Sequence, residues 1–189
     1  NRYIPEKRHV HELLDMPHGT CLFRSTACQS ILCDIRHYQE DAESIFRRKE
    51  RFDQDRRDFY ARTMVLFALT NRIMDLAREV SLIRGYISTE EQVKNKVFFK
   101  RLHDHGVISW EMRQQMIDLV NFRNQVSHHF YEVTRDDIAK VWQTMPVCSE
   151  FVSIMEQELA SHDRVKKGMV IIAGTALILL VLVLLWYFS

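Results

Sequence analysis

The chain has 189 residues, enough for one domain of ordinary size and a further segment. Its 26 basic and 25 acidic side chains give a formal charge of +1, which excludes nucleic-acid binding by global charge alone. Any attraction for RNA or lipid must therefore be local. The four cysteines show no CxxC spacing, and they fit a reducing cytosol best.

Glycine and proline are scarce, so little in the sequence interrupts long helices. We therefore predict an all-α fold: a helical bundle with an N-terminal amphipathic helix and a C-terminal transmembrane helix. Residues 1–24 are predicted to form an extended arm, because they contain two prolines and three histidines without a sustained apolar period.

Residues 25–54 are predicted to form an amphipathic helix with a narrow apolar seam. Such a seam suits packing against one neighbouring helix, which belongs either to the same chain or to another copy. The seam residues recur at spacings of three, four or seven and are Cys28, Ile31, Ile35, Tyr38, Ala42, Ile45 and Phe52.

A basic run follows this helix, interleaved with acidic residues. One interpretation is a solvated surface of ion pairs, and the other is a track for RNA phosphates. The candidate RNA-binding residues are Arg47, Arg48, Lys49, Arg51, Arg56 and Arg57.

Residues 55–160 are predicted to form the main domain. A long helix with a wide apolar face that ends before Gly85 should be its central core helix. Ser88 and Glu91 have the spacing of a capping box and predict the start of the next helix, which should end at Gly106.

Two further caps are predicted in the second half of this domain. Ser109 should cap the helix that follows it, and Thr134 with Asp137 forms another capping-box pair. Pro146 should break or kink the last helix near Met145.

Residues 169–188 are apolar except for Gly174 and Thr175, and this length matches the roughly 20 residues that cross a bilayer as a helix. Residues 161–168 are predicted to form a basic juxtamembrane linker. Because Arg164, Lys166 and Lys167 precede the segment and no charge follows, the positive-inside rule predicts a cytoplasmic domain and a C-terminus outside.

The densest chemistry lies in 121–131. Arg123 offers a planar fork of donors suited to phosphate, Asn124 can orient a substrate, and His128 can transfer a proton near neutral pH. Metal-free RNA cleavage needs such groups together. His129 is a second candidate, but about 100° around a helix from His128 it would need local unwinding to reach the same phosphate.

An alternative is that these side chains form a buried polar network or an interface without turnover. We predict no cofactor and no metal. Cys21, Cys28, Cys33 and His37 have gaps that match no familiar zinc site, so small buried side chains are expected.

The spacing Arg-Asn-x-x-x-His, preceded by Phe122 within this helical order, resembles the motif of the HEPN superfamily, and most closely its small toxin branch. The resemblance implies a ribonuclease site built from two subunits. It also implies a tyrosine two residues after the motif histidine, which a partner nucleotidyltransferase modifies. This chain has Phe130 there and Tyr131 one position later, so silencing by that route is not expected.

A HEPN fold joined to a membrane tail looks like the membrane-associated HEPN accessory proteins of type VI-B CRISPR loci. That resemblance implies a homo-oligomer, either dimer-based or a ring, in the bacterial inner membrane. Its function would be antiphage defence by forming a pore or perturbing lipid, beside an RNA-guided CRISPR nuclease and RNA. The alternatives are a tail-anchored metal-independent endoribonuclease toxin and a tethered binding module.

Overall fold

Six α-helices and a short 3-10 helix make up the regular structure of the computed structural model, which describes residues 26–47, 56–90 and 93–188 and side chains as far as residue 175. No strand occurs in these ranges, in agreement with the predicted all-α fold. The arm predicted over 1–24 lies outside them. The helices are α1 (Thr26–Phe46), α2 (Arg56–Ile83), α3 (Asn95–Asp104), α4 (Trp110–His128), α5 (Arg135–Gln143) and α6 (Met145–Phe188), with the 3-10 helix at Phe130–Glu132 between α4 and α5.

The centre of the bundle is α2, which contacts each of the other five α-helices. Three of its buried residues carry a hydroxyl, and each donates it to the backbone carbonyl one turn earlier. The bonds run from Thr63 to Phe59 at 2.8 Å, from Thr70 to Leu66 at 2.8 Å and from Ser81 to Ala77 at 2.7 Å. Because these hydroxyls are satisfied within the helix, α2 can be covered on several sides.

The apolar seam of α1 packs against α2 of the same chain. Cys28, Ile35 and Ala42 on this seam are fully buried. The helix ends at Phe46, earlier than the predicted 54, and Phe52 lies outside the described residues. At the side of α1, Arg36 donates to Glu156 of α6 at 3.0 Å, so the outer helix is attached to two elements of the bundle.

Arg62 of α2 is buried although it carries a charge. Its Nε donates to Asp58 at 2.7 Å, and its guanidinium lies 4.7 Å from the centre of the Phe46 ring. The other neighbour of Phe46 is Trp142 of α5, stacked at 4.1 Å with an angle of 7° between the rings. A paired charge and an aromatic stack thus join α1, α2 and α5.

Local capping chemistry positions α4 and α5. Ser109 accepts a hydrogen bond from the Met112 amide at 3.1 Å at the start of α4. Thr134 and Asp137 form the predicted capping box at the start of α5. Gly85 and Gly106 follow α2 and α3 with φ of 72° and 71°, the left-handed conformation that glycine adopts without strain.

The start predicted for α3 is wrong. Lys94, without a side-chain cap, occupies the N-cap position, whereas Ser88 is exposed in the preceding loop and Glu91 lies outside the described residues. The helix begins only where it can bury an apolar face, which it forms from Phe98, Phe99 and Leu102. Tertiary burial therefore outweighs the capping pattern here.

Pro146 marks a helix boundary, as predicted. It is the second residue of α6, in the first turn, where a missing backbone N–H is tolerated. From Met145 the helix continues without interruption through the linker predicted over 161–168 and on to Phe188.

No helix in the described part of the chain is long and apolar enough to cross a bilayer, so the transmembrane helix predicted over 169–188 is not supported. Residues 176–188 continue α6, but their side chains lie outside the description.

The capping box generates a first prediction. Thr134→Ala should lower the free energy of unfolding by about 1 kcal/mol, the usual value of an N-cap hydroxyl, whereas Thr134→Ser should retain it. Urea unfolding at neutral pH measures this difference.

The same difference should depend on pH. Partial burial raises the pKa of Asp137, but hydrogen bonds from the Thr134 side chain and backbone together lower it by more, so the net pKa lies below the ordinary value. A lowered carboxyl pKa stabilises the fold above its unfolded pKa, and this contribution is lost as the pH falls through the folded pKa. The gap between the parent and Thr134→Ala should thus narrow only below about pH 4. A gap that widens on acidification would contradict this assignment.

Candidate functional site

The motif residues lie on the C-terminal half of α4. Phe122 and Val126, four residues apart, are buried and fix this part of the helix on the bundle. Arg123 and Asn124 are half-buried beside this apolar face, whereas His128, the last residue of α4, is exposed. One helix therefore presents the cation and the imidazole in different surroundings.

Arg123 is held by α2. Its Nε donates to Asn71 Oδ1 at 2.9 Å, and its guanidinium lies 5.7 Å from the centre of the Phe67 ring. Phe67 and Asn71 are four residues apart and so lie on one side of α2. The Arg123 fork is oriented by an amide and an aromatic ring, and its hydrogen bonds within the chain use Nε and Nη1.

Asn124 accepts from Arg123 Nη1 at 3.3 Å through its side-chain oxygen. Its carbonyl is thus directed to the neighbouring guanidinium. The side chain acts in this conformation as a support for Arg123, and the amide nitrogen remains the group suited to orienting a substrate.

His128 does not meet Arg123 within one chain. No hydrogen bond or ion pair in the described part of the chain joins them. Five residues of helix separate the two by about 140° around the axis and about 7.5 Å along it. A phosphate that contacts both side chains of one copy would have to bridge that angle, whereas a second copy could supply the missing group.

His129 lies outside the helix, with φ of −138° and ψ of 43°. The local unwinding that the sequence analysis required for this residue is present, because α4 ends at His128. The His129 ring is exposed, and its Nδ1 lies 3.7 Å from Glu132 Oε1. Two consecutive imidazoles are accordingly presented at the end of α4.

The aromatic residues after the histidines continue this surface. Phe130 stacks on Tyr60 of α2, with ring centres 5.5 Å apart and an angle of 24°. Tyr131 is 83 % exposed. The position where the resemblance implies a tyrosine is thus occupied here by a ring that packs on α2, and the next residue carries the hydroxyl.

The basic residues predicted for RNA binding are only partly described. Arg48, Lys49 and Arg51 lie outside the described residues. Arg47 is exposed and pairs with Glu43 at 3.2 Å, as in the ion-pair interpretation. Among the others, Arg56 and Arg57 are exposed at the start of α2.

The cysteine and histidine residues considered for a metal do not form a ligand set in the described chain. Cys33 Sγ lies 3.8 Å from His37 Nδ1, and Cys28 is buried in the core. Cys21 lies outside the described residues. Burial raises the pKa of the Cys148 thiol to about 12, so this thiol stays protonated.

Sequence reasoning missed Asn71 and Tyr60, which lie more than fifty residues before the motif. Asn71 gave no distinct local signal, because it is one of many polar residues along α2. Tyr60 gave no signal, because its role depends on its contact with Phe130.

The ribonuclease HepT-like family model matches residues 35–155, well over half of the chain. The chain belongs to this family. No curated protein sequence matches it significantly. The matched range contains Arg123, Asn124, His128 and the α2 residues that contact them.

Solved structures share the fold. A chain from a toxin–antitoxin complex with AMP-PNP is 14% identical, with a TM-score of 0.62, and the match covers 70% of this chain and 99% of that chain. A chain from the tri-AMPylated HEPN toxin of Shewanella oneidensis in complex with the MNT antitoxin is 13% identical, with a TM-score of 0.63, covering 71% and 99%. The HEPN-like fold implied by the motif is thereby confirmed.

The contact between Asn71 and Arg123 generates a second prediction. Asn71→Leu removes the acceptor and should lower the free energy of unfolding by about 1 kcal/mol, whereas Asn71→Asp retains an acceptor and should not. A double-mutant cycle with Arg123→Met, followed by urea unfolding, isolates the pair. Strictly additive effects would show that the hydrogen bond does not contribute to stability.

Proposed function

We propose that this protein is a metal-independent endoribonuclease of the HEPN toxin type. The observation that carries the proposal is the C-terminal part of α4, where His128 and His129 are exposed and Arg123, five residues before His128, is held by α2. Membership in the ribonuclease HepT-like family agrees with it.

The proposed division of roles follows from these surroundings. Arg123 binds the phosphate and stabilises the charge that develops on it, because its fork is held in one orientation. His128 transfers a proton as base or acid, and Asn124 holds the Arg123 side chain in its orientation. The second proton-transfer group is His129 or the His128 of another copy, so we propose a homodimer as the active unit.

We also propose a protein partner that restrains the activity. The structural relatives described above come from toxin–antitoxin complexes, and one of those toxins is AMPylated. Phe130 has no hydroxyl that could be modified, whereas Tyr131 is exposed. A partner for this chain would therefore act by covering the site or by modifying a hydroxyl at a position other than 130.

The test is cleavage of a single-stranded RNA by the purified full-length chain in EDTA. His128→Gln retains hydrogen bonding but cannot shuttle protons, and it should reduce the rate by about 10²–10⁴-fold. Arg123→Lys retains the charge but loses the fork, and a large loss is expected there too.

His37→Gln is the matched control, because His37 is exposed on α1 and lies outside the proposed site. It should cleave like the parent. Equal rates for the parent and His128→Gln, or cleavage that requires a divalent metal, would reject the proposed mechanism.

A second proposal is a membrane-associated defence effector, in which the end of α6 lies in the bacterial inner membrane and the domain remains cytoplasmic. It is favoured by a run of large apolar side chains that are more than half exposed at Val165, Met169, Val170, Ile171 and Ile172. The basic residues Arg164, Lys166 and Lys167 precede or interrupt this run and suit anionic lipid headgroups. A pore, a role in type VI-B CRISPR interference and an RNA-guided nuclease partner belong to this second proposal.

Vesicle flotation separates the two proposals. The full-length chain should float with phosphatidylglycerol vesicles, and the double variant Val170→Asp with Ile172→Asp should remain at the bottom. Met64→Asp, which charges an exposed apolar residue on α2, is the control and should float. If depolarisation of cells persists in His128→Gln, the membrane proposal is favoured; if no variant affects flotation, the apolar run has no part in lipid binding.

A further inference from the structure

An aromatic surface lies beside the two histidines. We call it the aromatic ledge and define it as Tyr60, Phe130 and Tyr131 with Arg56. Tyr60 and Phe130 stack at 5.5 Å, and Tyr60 remains 40 % exposed. Tyr131 follows in the same 3-10 helix and is 83 % exposed. Aromatic residues of this size are usually buried more fully in a monomeric domain.

The two stacked rings of the ledge also contact Phe59. Phe59 is half-buried and meets both rings edge-on, at 6.3 Å and 76° for Phe130 and at 5.9 Å and 70° for Tyr60. Edge-to-face contacts of this kind restrict ring motion. Tyr60 is thus positioned before any ligand binds, which lowers the entropic cost of stacking on it.

The charges around the ledge are suited to an anion. The Arg56 guanidinium lies 6.0 Å from the centre of the Tyr60 ring, and Arg56 is exposed. Two carboxylates are described near the ledge: Asp58 accepts from the buried Arg62 at 2.7 Å, and Glu132 Oε1 lies 3.7 Å from His129 Nδ1. A flat aromatic surface next to a cation is the usual composition of a site for an unpaired nucleotide.

The ledge is also connected to the proposed cleavage site. Phe130 is two residues after His128, and the 3-10 helix starts directly after His129. A base stacked on Tyr60 would therefore lie near the histidines, with its phosphate within reach of Arg56.

We propose that the aromatic ledge is a base-binding subsite, where one unpaired RNA base stacks on the part of the Tyr60 ring that Phe130 leaves exposed while Arg56 contacts the adjacent phosphate. This inference rests on the proposed ribonuclease function and adds the residues that position the substrate. Tyr60 is a positioning residue, since the proton transfers remain with the histidines.

The test measures binding of a single-stranded RNA that contains 2-aminopurine, using full-length protein in a His128→Gln background so that the RNA stays intact. The parent should quench the fluorescence as the base stacks. Tyr60→Leu should weaken binding by about 5- to 150-fold, the loss typical for one stacked base. Tyr60→Phe and Tyr60→Trp retain an aromatic face and should bind like the parent, and a fully paired RNA should cause no Tyr60-dependent quenching.

Trp110→Leu is the matched control. Trp110 is 56 % exposed, but it lies at the opposite end of α4, about 27 Å from His128 along the helix. Its loss should leave RNA binding unchanged. In the active protein, Tyr60→Leu should raise KM more than it lowers kcat, and thermal unfolding followed by circular dichroism identifies a variant that fails to fold.

The outcomes distinguish this inference from the function on which it rests. His128-dependent cleavage with unchanged RNA binding by Tyr60→Leu overturns the subsite and leaves the ribonuclease in place. Tyr60-dependent binding without any cleavage supports the subsite and rejects the ribonuclease. If Tyr60→Leu instead converts a dimer to a monomer in sedimentation while RNA affinity is unchanged, the ledge is an interface between copies, and the inference is wrong.

Discussion

The packing of the whole bundle depends on the burial of α2. Each of the other five α-helices contacts it, so it must offer an apolar surface in several directions and still satisfy every polar group that it buries. Thr63, Thr70 and Ser81 do this by donating to carbonyls of their own helix. Arg62 does it by pairing with Asp58 under the Phe46 ring. Because the central helix meets these requirements, the five helices around it can pack against it in well-defined positions.

This arrangement gives Arg123 and His128 different roles. The sequence left two hypotheses open for the motif residues taken together, a buried polar network and a cleavage site. Arg123 and Asn124 do belong to a half-buried network with Asn71. His128 is exposed at the helix end. One site can contain both the network that orients Arg123 and the exposed His128. A group that binds phosphate benefits from rigidity, whereas a group that transfers a proton needs access to the substrate.

The long helix α6 combines two environments in one element. Phe151, Met155 and Leu159 on its first half are buried against the bundle, whereas large apolar side chains from Val165 to Ile172 are exposed. Near this change, burial lowers the pKa of His162, and Lys166 and Arg84 lower it further. Because α6 remains helical across this boundary, the two parts differ only in whether other helices cover their apolar side chains. An exposed apolar patch of this kind commonly marks an interaction surface.

The amino-acid sequence by itself determined the all-α fold, the central position of α2, the caps at Ser109 and Thr134, the ends at Gly85 and Gly106, and the boundary at Pro146. These features depend on capping residues, glycine, proline or the spacing of apolar residues, and each of these signals can be seen within a short stretch of sequence. The sequence also located the motif, because Arg123, Asn124 and His128 lie within six consecutive residues. Its prediction at Ser88 was wrong, because the start of α3 follows the burial of Phe98, Phe99 and Leu102. Only the tertiary structure decided that Asn71 and Phe67 hold Arg123 and that Tyr60 stacks on Phe130. The residues of these contacts are more than fifty positions apart, and their meeting depends on how α4 and the 3-10 helix pack against α2.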